Sequence, residues 1–192
     1  MLQGIRWPER GYGFFSYALH EALHLSGKEE ATVEDILHGI GRELESGIDN
    51  FSQDIIVSQI ELLLNYSNRF YQRQFITRGP ASNEVLVKME EILSSLFNDG
   101  HPNGLPTVQQ VAALMHVSAP YLSDMLRALT GQTAQQHIHT RLIEKAKEIL
   151  STTSLSVSEI AYRLGFEHPQ SFNKLFKNKT QVSPLAYRQS FN

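Results

Sequence analysis

The chain has 192 residues, 41% of them hydrophobic, a net charge of −3 and no cysteine. That is room for one ordinary domain or two small ones with a buried core, and it excludes disulfides, thiolate metal sites and, for want of any apolar run near ~20 residues, a membrane-spanning helix. The charge is unevenly shared: from His101 onward nine Lys+Arg face five Asp+Glu, a balance of +4, while the preceding residues carry eight against fifteen, a balance of −7.

Such a division suggests that the C-terminal half meets a polyanion and the N-terminal half does something else. The opening stretch MLQGIRWPERGYGFF lacks the basic start and long apolar run of a signal peptide. A cytoplasmic protein that stays off the membrane is expected.

The first motif is HEALH, residues 20–24, in which His20, Glu21 and His24 have the HExxH spacing of zinc peptidases. On a helix both histidines would share one face and ligate zinc while Glu21 acted as general base. Five-residue matches arise by chance, however, and only 19 residues precede His20, too few for a substrate-binding sheet. The expected reading is a helix packed through Phe15, Ala18, Ala22 and Leu25, with the histidines flanking it. No metal, cofactor or catalytic residue is anticipated.

Thr32, with Asp35 three residues on, resembles a capped start, and Val33, Ile36, Leu37, Ile40 and Leu44 recur at helical spacing to about residue 46. A longer helix is expected over 51–75. Its apolar residues, from Ile55 to Tyr71, cover more than one face, so it requires cover on two sides, by its own domain or by a second subunit. RGPAS, residues 78–82, reads as a linker. A helix over 83–97 follows, with Val85, Leu86, Met89, Ile92, Leu93 and Leu96 on its stripe, and NDGHPNGLP, residues 98–106, breaks the chain again.

Beyond this break a pattern occurs twice. Thr107 is placed to cap a short helix carrying Val108, Val111, Ala112 and Leu114; Ser118 caps a second, with Pro120 in its first turn and Gly131 after its end. Ser156 then caps a helix with Val157, Ile160, Ala161 and Leu164, Gly165 closes it, and His168 and Pro169 open another that carries Phe172, Leu175 and Phe176. Two short helices joined by a tight turn describe a helix-turn-helix. The helix between the pairs, about 134–151, would span roughly 27 Å and set the two second helices about one turn of B-DNA apart, roughly 34 Å. A six-helix bundle without a ligand has the same periodicity.

Residues 107–150 and 164–188 resemble the AraC/XylS family of bacterial transcription regulators, through Arg141, Gly165, Phe166, Phe172, Phe176, Pro184, Tyr187 and Arg188 at the family's spacing. Gln181 departs from the glycine that many members carry after the second reading helix. The resemblance implies an all-α chain in three parts: a coupling and dimerisation region over 1–78, the tail of an effector domain; a linker with one helix over 79–106; and a double helix-turn-helix DNA-binding domain over 107–192. It further implies double-stranded DNA as partner, a homodimer through residues 51–75, contact with RNA polymerase, and reading helices at about 119–129 and 168–179 that enter successive major grooves.

On the first reading helix Pro120, Ser123, Asp124 and Arg127 fall outward. Asp124 suits a cytosine amino group, Ser123 a base or phosphate, and Arg127 a phosphate. On the second, Gln170 and Asn173 suit adenine, Lys174 suits guanine, and Ser171 and Lys177 suit phosphates. The bland alternative for Asp124 is to restrain Arg127; for Arg141 and Glu144, internal pairs that fix the angle between subdomains are expected. His116, His137, His139 and His168 form no ligand-like set. The alternative function is a helical protein-interaction adaptor, which salt-insensitive, weak DNA binding would reveal.

Overall fold

The computed structural model describes residues 11–77, 79–98 and 104–191, and the described chain is helical with connecting turns. It divides into two compact units, Met1–Gly79 and Pro80–Asn192. Among the described residues no helix is long and apolar enough to cross a membrane.

The first unit is a helical hairpin with an N-terminal strap. Helix α1 spans Gly27–Glu45 and α2 spans Ser52–Thr77. The start of α1 lies five residues before the Thr32 signal, because a stronger signal precedes it: the Ser26 N–H and hydroxyl both donate to Glu29 Oε2, at 2.8 and 2.9 Å. Thr32 sits inside the helix and returns its hydroxyl to the Lys28 carbonyl at 2.9 Å. At the hairpin turn Asp49 Oδ1 accepts the N–H groups of Phe51 and Ser52 at 2.8 and 3.0 Å. The helices close on Ile36, Phe70 and Phe75, and Gly39 admits Gln59, whose side chain a Cβ there would meet at 3.2 Å.

The HExxH segment is not helical in the expected sense. Leu19–Glu21 is one 3-10 turn, and the chain runs on without helix to Ser26, so His20 and His24 do not share a helical face. Phe15, Ala22 and Leu25 are exposed rather than packed. The buried carboxylate of Glu21 accepts the Ala18 N–H at 2.6 Å. Buried Gln74 holds the strap to α2, accepting the His24 N–H at 2.8 Å and donating to the Ala22 carbonyl at 3.3 Å. Arg73 adds a bond to the His24 carbonyl and a two-pronged grip on Glu29 at 2.9 and 2.8 Å. Among the described residues no group of three His, Cys, Asp or Glu could hold a metal ion. The zinc-peptidase geometry is therefore overturned by side-chain bonds from residues fifty positions away.

Cover of α2 is one-sided within its unit. The face toward α1 is shielded, while Phe51, just before the helix, and Ile55 and Leu62, on the flank they share with Gln59, stand 71%, 40% and 46% exposed.

Helix α3, Gly79–Asn98, opens the second unit from its second residue onward. The Gly-Pro pair that reads as a linker is instead its first turn, where proline's missing N–H costs nothing; residue 78 lies outside the described residues, as do 99–103 of the second break. Met89, Leu93 and Phe97 of α3 are buried. Then follow α4 (Val108–Leu114), α5 (Ala119–Thr130), α6 (Ala134–Thr152), α7 (Val157–Arg163), α8 (Pro169–Thr180) and α9 (Pro184–Gln189).

Helix α6 runs through the whole core. Its Ile138 and Leu142 are buried with Val111, Leu122 and Leu126 of the first pair of helices, and its Ala146 and Leu150 with Ile160, Leu164, Phe172 and Phe176 of the second. Each large side chain so buried stabilises by about 1.5–3 kcal/mol. Arg141 forms the internal pair expected of it, with Glu144 at 3.2 Å, and also donates to Ser94 Oγ at 3.0 Å, so that it ties α3 to α6 rather than one subdomain to the other. Short α9, which periodicity did not announce, closes the far end through Tyr187 against Phe176.

Candidate nucleic-acid interface

The two helix pairs repeat bond for bond. In the first, the Met115 N–H donates to the Val111 carbonyl, His116 to Ala113 and Val117 to Ala112, at 3.0, 3.1 and 3.0 Å. In the second, Leu164 donates to Ile160, Gly165 to Tyr162 and Phe166 to Ala161, at 2.9, 3.0 and 3.0 Å. Every partner is shifted by 49 positions. The turn needs a left-handed residue, supplied by His116 at φ 60° and Gly165 at φ 89°.

One residue, Glu167, is then inserted in the second turn, so the following helices correspond with a shift of 50. Ser118 caps α5 by accepting the Tyr121 N–H at 3.3 Å; His168, at the equivalent place, makes no side-chain cap. Both helices end on a left-handed residue, Gly131 at φ 75° and Gln181 at φ 66°. Gln181 thus takes the conformation that glycine would, and its turn is kept.

These backbones fix which side chains are inward. On α5 Tyr121, Leu122, Met125 and Leu126 are buried, leaving Pro120, Ser123 and Asp124 half-buried and Arg127 exposed. On α8 Phe172 and Phe176 are buried, and Gln170, Ser171, Asn173, Lys174 and Lys177 are all exposed. Asn173, Lys174 and Lys177 line a groove of about 440 Å³ whose other wall is Val157, Ser183, Pro184 and Leu185.

Cations from α4 onward fall into two groups. Arg141 and Lys145 are paired with Glu144 and Glu148, Lys147 stands over the Tyr187 ring at 5.8 Å, and Arg188 Nε donates to the Leu150 carbonyl at 3.2 Å. Arg127, Arg163, Lys174, Lys177 and Lys179 are exposed and take part in none of the ion pairs among the described residues. Arg163 and Lys179 were missed in the sequence, although a cation at the end of each helix of the second pair was there to be read. Two of the histidines have partners within the unit: His137 Nε2 lies 2.8 Å from Thr130 Oγ1, and His139 bonds to Gln135. Burial lowers both imidazoles below their ordinary range, with Lys179 adding to the effect at His139.

Comparison with known proteins agrees with this geometry. The family described as "Helix-turn-helix domain" matches residues 111–190, the repeated pairs and the helix between them. The transcriptional activator RhaS of Escherichia coli is 28% identical over 138 residues, which cover 72% of this chain and 46% of RhaS. The chain belongs to the AraC/XylS family through its C-terminal domain.

A further family relative is the uncharacterized transcriptional regulator YfiF of Bacillus subtilis, 29% identical over 145 residues, 75% of this chain and 43% of YfiF. Among solved structures, the C-terminal domain of AraT, a response regulator from Geobacillus stearothermophilus, is 30% identical, with 55% of this chain and 84% of that one covered at a TM-score of 0.48. The chain spans less than half the length of the two full regulators.

Proposed function

We propose that this AraC/XylS chain is a sequence-specific DNA-binding transcription regulator that sets α5 and α8 in successive major grooves on one face of a duplex. The observation that carries the reading is the repeated turn: two turns with the same three backbone bonds, the second longer by Glu167, lead into two outward faces, joined by a single helix of about 28 Å, close to one turn of B-DNA. Gln170, Asn173, Lys174, Ser123, Asp124 and Pro120 then lie toward bases, and Arg127, Ser171 and Lys177 toward phosphates, joined by Arg163 and Lys179.

The test is fluorescence anisotropy of the chain on duplexes enriched from a random pool, across salt concentrations. Four cations on phosphate give a slope of log K against log salt of about −3.6. Binding that prefers two half-sites one helical turn apart is expected. Weak binding indifferent to salt would favour the adaptor reading instead.

We also propose that the exposed face of α2 carries the subunit contact. Phe51, Ile55 and Leu62 recur at helical spacing beside a groove of about 590 Å³, an apolar stripe that a second copy would cover. Sedimentation velocity of residues 80–192 should then show a monomer that still binds DNA, against a dimer for the full chain; a dimer in both would place the contact elsewhere.

A further inference from the structure

The two reading helices carry unlike chemistry at equivalent positions. A shift of fifty residues brings Ser123 onto Asn173, Asp124 onto Lys174 and Arg127 onto Lys177. A carboxylate thus stands on α5 where α8 carries an ammonium. Charge along the helices follows suit: Asp124 and Arg127 are the only charged residues of α5 and cancel, whereas α8 carries Lys174, Lys177 and Lys179 with no acid.

Against a duplex the two positions must behave differently. A carboxylate only accepts hydrogen bonds. It is repelled by phosphate, and it meets two acceptors on guanine and one on thymine in the major groove; the cytosine amino group is a donor that matches it. An ammonium has the opposite preference, for phosphate and for guanine. Because α5 packs on α6, and α8 packs on α7 and α9, which both pack on α6, docking of α8 brings α5 to its groove whether or not the base there suits Asp124.

We infer that Asp124 makes binding directional: it admits a half-site that presents cytosine to α5 and rejects guanine at that place, while α8 supplies most of the attraction to the backbone. The inference rests on the proposed DNA-reading role and names the base pair and the residue that decide orientation.

The experiment uses the full chain, its enriched duplex, and a set of duplexes in which each pair of the half-site facing α5 is changed in turn. Wild type should lose about tenfold or more in affinity when one C·G pair is reversed. Asp124→Asn keeps the shape and removes the charge. It should bring that preference within about threefold, leave every preference in the α8 half-site intact, tighten binding to random duplex and steepen the salt dependence. Lys174→Ala, run beside it, should relax the α8 half-site alone. An Asp124→Asn protein that keeps the cytosine preference and the salt slope overturns the inference, and so does an equal loss of discrimination in both half-sites. Wild type that binds no duplex at all would instead sink the DNA-reading function on which the inference stands.

Discussion

The first and second helix-turn-helix pairs have closely similar backbones, apart from Glu167 inserted in the second turn, and different surfaces. Their turns share one hydrogen-bond pattern 49 residues apart, and their reading helices are both twelve residues long. Yet the first is capped by Ser118, ends on Gly131 and is neutral; the second lacks a side-chain cap, ends on Gln181 and is basic. Inward side chains and turn bonds therefore fix the shape, and the outward positions and helix ends are left to vary. The second pair is the less regular in local signals and relies more on its core, where the tilted rings of Phe166, Phe172 and Phe176 pack with centroids 5.4 and 5.7 Å apart.

That reliance can be broken most sharply at Phe172, which is fully buried. Phe172→Ala should cost about 3–5 kcal/mol, and Leu122→Ala, at the position shifted by fifty in α5, about 2–5 kcal/mol. Urea unfolding followed by far-ultraviolet circular dichroism measures both. Since α6 packs against each pair, either variant should shift a single transition of residues 80–192. Two separated transitions would show that the pairs fold independently and that α6 does not join their cores.

The helix ends sharpen the comparison at a smaller scale. Gly131 and Gln181 hold the same left-handed conformation, which an L side chain adopts at a cost of roughly 1–2 kcal/mol. A Cβ at Gly131 meets nothing within 4 Å, so Gly131→Ala should lose about 1 kcal/mol through backbone strain alone. Gln181→Gly should gain, by about 0.5 kcal/mol, because glycine's greater freedom in the unfolded chain offsets part of the relief. Thermal unfolding should move in opposite directions for the two variants. A loss at both would mean that the Gln181 side chain, whose amide donates to the Asn178 carbonyl at 3.1 Å, outweighs its strain.

Most of this architecture was legible because it is local. Apolar spacing, Ser118 and Ser156 as caps, and Gly131 and Gly165 as turn residues placed the repeated helices within a residue or two. What escaped depends on distant partners or competing signals. Thr32 reads as the cap, but Ser26 takes that place in the structure, and Arg73, reaching Glu29 from α2, favours this earlier start. The HExxH segment has helical composition, but Gln74 holds its backbone in an extended course. Outward faces of α5 and α8 could be read from periodicity; the sorting of cations could not, since Arg188 finds the Leu150 carbonyl 38 positions away and Lys147 its tyrosine forty.

The smallest expected effect concerns the imidazoles beside the first pair. His137 is drawn in against Thr130 at the end of α5, and His139 lies nearer the second pair, by Lys179. Burial lowers both from their ordinary 6.5, against an opposing pull from Glu90 at His137. A group with a depressed folded pKa binds protons more readily in the unfolded chain, so its contribution to stability is whole above pH 6.5 and is lost as pH falls through the folded value. Stability of residues 80–192 should accordingly decline on going from pH 7.5 to 5, and the paired substitution His137→Gln with His139→Gln should flatten that decline. Urea midpoints at several pH values decide it: an unchanged slope in the double variant would mean that these imidazoles do not carry the acid sensitivity of this range, since Glu159, lowered from 4.5 by its Ser156 bonds, responds only at lower pH. Single variants then assign the effect to one pair or the other, since His137 answers to α5 and His139 to the end of α8.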